Sequence, residues 1–243
     1  MEHKLAPIAA DGSGELIDEH LIEKLRIDYY FDIDRLPFKE LFAGLETVLE
    51  IKPALVDWLD SVARRDVRGD VHPRAFVEGD VVVEEGAQIE AGAYVEGPAV
   101  ICAGAVLRSN ACIRDHVVIG PRSKIGHCTE LTRSVLMADS MATHMAFIGD
   151  SVIGNNVNIG SSCVTTNLRV DRPVREPATA EIVLSIEGWT VPTRQTKFGA
   201  IIGDRTQLPA LISTSPGTLI GPGTIVMPRG QLGGVLPAGT RVR

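Results

Sequence analysis

Residues 71–131 read VHPRAFVEGD VVVEEGAQIE AGAYVEGPAV ICAGAVLRSN ACIRDHVVIG PRSKIGHCTE L. Val71, Val77, Val83, Ile89, Val95, Ile101, Leu107, Ile113, Ile119, Ile125 and Leu131 follow one another at steps of six. A helix brings back its apolar face every three or four residues and a strand every two, so neither makes this file. Two places ahead of these residues stand small or slim ones: Ala75, Val81, Ala87, Ala93, Ala99, Ala105, Ala111, Val117, Ser123 and Thr129. The combination is the hexapeptide signature of a parallel β-helix. Three hexads close one coil of about eighteen residues, the aliphatics stack from coil to coil, and the small residue sits where the chain turns a corner. The fold class is therefore mainly β, with a small helical segment ahead of the coils.

That segment lies in residues 1–68, an arm followed by a helical cap. Phe38, Leu41, Phe42, Leu45, Val48 and Leu49 fall on one helical stripe that Pro37 starts, and a second helix from Pro53 buries Leu55, Val56, Leu59 and Val62. Too few to hold a core of their own, these helices are expected on the first coils or at a subunit boundary, with the covering of an open coil end as their structural role. Residues 69–243 form the β-helix. Its phase resets after Leu131 through Phe147, Ile153 and Ile159, and an inserted loop at about 167–196 interrupts it. Ile202, Leu208, Thr214, Ile220 and Val226 then resume the step.

The 243 residues are 44% apolar and carry a formal net charge of −7, which argues against a general nucleic-acid or anionic-membrane surface but permits a local phosphate pocket. No apolar run is long enough for a membrane span and the first residues lack the order of a secretory signal, so the expected location is the cytoplasm. Cys102, Cys112, Cys128 and Cys163 show no paired spacing, and no metal site is expected.

Chemistry concentrates between Glu130 and Asn167, where a phase slip, His144 and several asparagines coincide. A histidine with an ordinary pKa near 6.5 suits proton abstraction from an attacking amine or hydroxyl. The run His144-x-x-Phe147-Ile-Gly-Asp-Ser-x-Ile-Gly-x-Asn-x-Asn158-x-Gly, the Thr165-x-Asn167 after it and Lys197-Phe-Gly-Ala-Ile-Ile-Gly-Asp204 resemble the acetyltransferase domain of bifunctional N-acetylglucosamine-1-phosphate uridyltransferases. They resemble that domain in archaeal-type sugar-1-phosphate nucleotidyltransferases more strongly still. The likeness covers roughly residues 71 to 230. It implies a left-handed β-helix, a homotrimer with sites between subunits, and acetyl transfer from acetyl-CoA to the amine of an amino-sugar 1-phosphate.

Residue by residue, the resemblance puts the catalytic base on His144 and its orienting carboxylate on Glu130. It puts the sugar-phosphate arginine on Arg114, a substrate lysine on Lys197 and a sugar-contacting asparagine on Asn158. Ser161, Asn167 and Ala210 fall beside the coenzyme A arm. Two positions depart from the pattern: Phe147 replaces a substrate tyrosine and Thr132 a phosphate-binding lysine, with Arg133 next door as the compensating cation. Residues 1–70 lack the Gly-rich loop of a nucleotidyltransferase, so neither uridyl transfer nor its magnesium is expected. A zinc site of the γ-carbonic anhydrase kind would need two histidines five apart, whereas His116, His127 and His144 are eleven and seventeen apart. The alternative from another class is a non-catalytic hexapeptide scaffold that binds a sugar phosphate or a partner nucleotidyltransferase.

Overall fold

The computed structural model describes residues 19–171, 173–175, 180–228 and 230–243. The left-handed parallel β-helix expected from the sequence is the architecture found, its short strands stacked in parallel on three faces. On the first face, Gln88, Val106 and Lys124 are register partners eighteen residues apart, and Lys124, Met141 and Asn158 partners seventeen apart. Asn158 pairs with Gln207 across the insertion. The second face runs through Tyr94, Cys112, Glu130, Phe147, Val164 and Ser213, and the third through Val100, Val118, Val135, Val152 and Ile201.

Inside, the six-step file forms one core. Val83, Ile89, Val95, Ile101, Leu107, Ile113, Ile119, Ile125 and Leu131 are buried, while Val71 and Val77 on the opening coil are partly so. The phase changes twice, at the same corner of two successive coils. Between Thr132 and Ser134 the register shifts, so that Arg133 faces the two residues Asp115 and His116. The coil from Glu130 is thereby one residue shorter, the coil from Phe147 repeats the short turn at Asp150, and the inward side chains after Leu131 are Leu136, Ala142, Ile148, Ile153 and Ile159. Phe147, expected in the inward file, therefore points outward and Ile148 takes its place. The irregularity also sits away from His144, which occupies a regular corner in register with His127.

The third face is apolar on its outer side too. Val118, Val135, Val152, Ile201 and Leu219 are buried outside the coils, with Val82 and Val235 partly buried at the two ends. Against this column pack Leu21, Tyr30, Phe38, Leu41, Leu55 and Leu59 from the N-terminal segment, joined by Leu184, Ile186 and Val191 from the insertion and Phe198 just after it. The helical segment thus lies along a side of the coil stack rather than over its end, because that side exposes an aliphatic strip many coils long. Its elements are short: 3₁₀ turns at Lys39–Phe42 and Val48–Glu50, then the α-helix Ile51–Val62. The single stripe expected from Phe38 to Leu49 is broken at Gly44, which has a φ of +77°, and restarts at a capping box between Thr47 and Glu50. Val62, expected to be buried, is exposed at the last position of the helix, just before the chain extends at Ala63. The insertion folds into an antiparallel hairpin, Val183–Ile186 with Trp189–Pro192.

Leu219, fully buried between the coil and its cover, should cost about 2–5 kcal/mol when cut to alanine. Gln207→Ala on the bare first face should stay within about 0.5 kcal/mol. Urea unfolding of both variants checks the contrast.

Candidate active site

The corner between the first and second faces is built by repetition. Asn110, Cys128, Met145, Ser162 and Leu211 all turn there with a positive φ, between +49° and +65°. Each turn hangs on its neighbour: Met145 N–H donates to His127 O at 2.9 Å, Ser162 N–H to His144 O at 3.0 Å, and Leu211 N–H to Ser161 O at 2.8 Å. His127, His144, Ser161 and Ala210 therefore occupy equivalent places on four successive coils. Close stacking depends on glycine. A Cβ on Gly126 would lie 1.7 Å from Thr143 O, and one on Gly160 2.3 Å from the Pro209 carbonyl carbon.

His144 is exposed, and no hydrogen bond to its ring is found among the described residues. Three residues on, Phe147 stands half-buried beneath Glu130, its register partner. Within this chain Glu130 is bound to Arg114, whose Nε donates at 2.8 Å and Nη2 at 2.5 Å to the same Oε1. The fold thus brings Arg114, Glu130 and Phe147 together on the second face, with His144 at its edge. Asn158 lies outward on the first face, and its neighbour Ile159 is the inward residue.

The opposite edge of the second face carries charge. Asp150 is fully buried, and its carboxylate accepts from Arg133 Nε at 2.8 Å, Arg133 Nη2 at 3.1 Å, Lys52 Nζ at 3.2 Å and Asn167 Nδ2 at 2.5 Å. Arg133 also donates to Asp115, which receives His116 Nδ1 at 2.7 Å, and His116 Nε2 reaches Asp60 on the helix at 3.0 Å. Lys52 Nζ donates in addition to the carbonyl of Lys197. Lys197 is half-buried, and no partner for its ammonium is found among the described residues. This network ties the helix, the coils and the end of the insertion at one corner.

Its protonation follows from its contacts. Burial pushes the Asp150 carboxyl up, but the Arg133 hydrogen bonds and the Lys52 and Arg133 charges outweigh it and hold the group below the usual carboxylate range. Burial lowers Lys52 from the ordinary lysine range, with the Lys197 charge adding to that direction and Asp150 opposing it. For His116 burial acts downward, yet the bonds to Asp115 and Asp60 win and raise it.

Sequence reading missed Lys52, Asp115, Asp60 and the hub role of Asp150. Asp150 was visible in the quoted Gly-Asp-Ser run; Lys52 carried no local signal, since its partner is 98 residues away. Asn167, read as a cofactor residue, gives its amide N–H to Asp150. Of the three histidines, His116 lies at the charged corner while His127 and His144 share the other.

Residues 95–208 match the model of the GMPPB C-terminal domain. The chain is 36% identical over 212 residues to the bifunctional protein GlmU of Methanococcus aeolicus, covering 87% of this chain and 46% of that protein. Its coils are homologous to part of the GlmU proteins. GlmU of Methanocaldococcus jannaschii is 34% identical over 223 residues, with 88% and 49% covered. A bifunctional sugar-1-phosphate nucleotidylyltransferase/acetyltransferase of Sulfurisphaera tokodaii is 32% identical over 174 residues, with 69% and 42% covered. The chain spans about half the length of the GlmU relatives it matches.

Removing one partner of a buried ion pair leaves an uncompensated charge, so Asp150→Asn should cost about 3–5 kcal/mol at neutral pH. A depressed folded-state pKa stabilises above the unfolded value and ceases to do so as pH falls through the folded one. Wild type should therefore lose stability as the pH drops below about 4, and Asp150→Asn should lose less over the same interval. Denaturant midpoints across the acid range measure both.

Proposed function

We propose that this chain is an acetyl-CoA-dependent transferase that N-acetylates an amino-sugar 1-phosphate, with His144 as general base. The observation that carries the reading is the corner column: His144 exposed and without a ring hydrogen bond among the described residues, with Ser161 and Ala210 in equivalent places on the next two coils. Homology to proteins named as bifunctional acetyltransferases supplies the reaction class. No helix among the described residues is long and apolar enough to cross a membrane.

In this mechanism acetyl-CoA lies along the corner, its pantetheine arm against Ser161 and Ala210. The sugar lies across the second face, its ring against Phe147 near the corner, where Asn158 of the adjoining first face meets it, and its phosphate toward Arg114 and Lys197, both suited to a phosphate dianion. The amine attacks the thioester carbonyl as His144 removes its proton. The C–S bond then breaks, and the coenzyme A thiolate leaves and is protonated. Glu130 positions the imidazole once the phosphate draws Arg114 away from it. Adjoining copies complete the site in a homotrimer. The covered third face leaves the other two faces and their common corner for that contact, where Met145 and Leu211 are exposed by 56% and 69%.

One observation favours the scaffold reading: Glu130 is spent on Arg114 rather than on His144. The two readings part in a thiol-release assay with acetyl-CoA and a panel of amino-sugar 1-phosphates. The transferase should release coenzyme A, and His144→Ala should lower the rate about 10²- to 10⁴-fold with an unchanged melting temperature. No release with any acceptor supports the scaffold and ends the enzymatic proposal.

Assembly has its own check. Sedimentation should give the mass of three chains for wild type and of one for Leu211→Glu, which puts a charge into the proposed apolar contact. A wild type of single-chain mass would exclude the shared site.

A further inference from the structure

At the charged corner the bulge places two successive non-glycine residues, Asp115 and His116, in the left-handed region, with φ of +60° and +58°. Such backbone is costly and persists only where its surroundings fix it. Its effect here is to aim the His116 imidazole off the coil at the last turn of the helix Ile51–Val62, with 16% of the side chain exposed. Both ring nitrogens meet carboxylates: Nδ1 lies 2.7 Å from Asp115 Oδ1 and Nε2 3.0 Å from Asp60 Oδ1. A carboxylate only accepts, so each contact needs an N–H, and a neutral imidazole has one. The two contacts together require the imidazolium. Asp115 does not supply a proton itself: burial pushes its carboxyl up, but the bonds from His116 and Arg133 outweigh that and hold it below the usual carboxylate range.

The other charges around the ring are committed elsewhere. Arg133 on the next coil is shared by Asp115 and Asp150, and Arg114 on the same strand is bound to Glu130. Arg64, beyond the helix, gives its guanidinium to the Asp60 and Ala63 carbonyls, while Asp57, a turn before Asp60, adds negative charge on the helix side. The preceding coil turns this corner at Gly97 and Pro98; the charge beside that turn, Glu96, accepts from the Tyr94 hydroxyl at 3.4 Å.

We infer that His116 is a pH-sensitive latch between the helix and the coils: as the imidazolium it ties Asp60 to Asp115, and on losing a ring proton to solvent it keeps the shorter bond to Asp115 and releases Asp60. The bare Nε2 then turns its lone pair to the Asp60 carboxylate, so an attractive contact becomes a repulsive one. What loosens is the end of the helix, where Val62 is already 45% exposed; Leu55 and Leu59 stay packed on the coils. The direction follows from the balance at the ring, where burial acts downward and the two carboxylate bonds prevail upward. The latch is therefore closed at and below the ordinary histidine value of about 6.5 and opens as the pH climbs through the higher value of the folded chain. The inference is independent of acetyl transfer. The contacts continue from Asp115 through Arg133 and Asp150 to Lys52, so the latch stands at the far end of the network that holds the Lys197 carbonyl.

The test is hydrogen–deuterium exchange of the full chain at about pH 5.5 and about pH 8.5, read by mass spectrometry with labelling times scaled to the intrinsic rate at each pH. In wild type, peptides over the helix end, residues 56–66, should exchange about tenfold faster at the higher pH, the value of one charge-assisted hydrogen bond, while coil peptides over residues 99–107 stay unchanged. Asp60→Ala should show the fast rate at both pH values. His116→Asn, which keeps a residue tolerant of left-handed backbone but has no titrating ring, should lose the pH difference as well. Equal scaled exchange of the wild-type helix end at both pH values, a pH difference that survives in either variant, or an equal acceleration in the coil peptides overturns the inference. The Asp60 side chain is 60% exposed, so its variant decides the matter even where His116→Asn disturbs the corner.

Discussion

Every coil must close on itself in register with the one before it, and that closure is what the rest of the molecule rests on. Parallel strands only two to eight residues long cannot be stable singly. They hold because the inward aliphatics stack without a gap from Val83 to Leu131 and on through Ile148, Ile159 and Leu208. Closure leaves freedom at the corners alone, and both groups of chemically capable residues are at corners. One corner repeats the same left-handed turn and so lines up His127, His144, Ser161 and Ala210. The other drops a residue at Arg133 and again at Asp150, and polar groups from several segments gather around that buried carboxylate.

The two corners differ in how they are held. The first is a backbone construction, kept tight by glycines that allow carbonyls of the next coil to approach. The second is a side-chain construction, in which a buried carboxylate with four donated hydrogen bonds joins segments distant in the chain. Removing a member of such a network is costly, yet the network as a whole contributes little net energy. Its use is specificity of placement: it sets where the helix and the end of the insertion sit, and with them Lys197.

Legibility tracked sequence distance. The inward file was readable because its period is local, and the helix at Ile51–Val62 because its apolar spacing is. The reset after Leu131 was legible, with Ile153 and Ile159 inward, but Phe147 was put in the file where Ile148 stands, because a one-residue slip at Arg133 shows in the pattern only downstream. The outer column Val100, Val118, Val135, Val152 and Ile201 repeats too, at a period near eighteen that a six-residue reading hides among ordinary strand residues. Of the site, His144, Arg114 and Lys197 came from likeness to relatives. Lys52 and Asp60 came from tertiary contacts that no local spacing encodes.

The covering of the third face has a consequence for synthesis. The helical segment docks on a surface completed only by residues far along the chain: the Asp32 N–H is held by Asp204, 172 residues further on, and the Tyr29 hydroxyl receives the Ala238 N–H. Leu21, Tyr30, Phe38 and Leu41 must therefore wait with their greasy sides unshielded while the solenoid lengthens coil by coil beneath them. A nascent chain of this design is most vulnerable to clumping while the strip is half built and its cover has nowhere complete to settle.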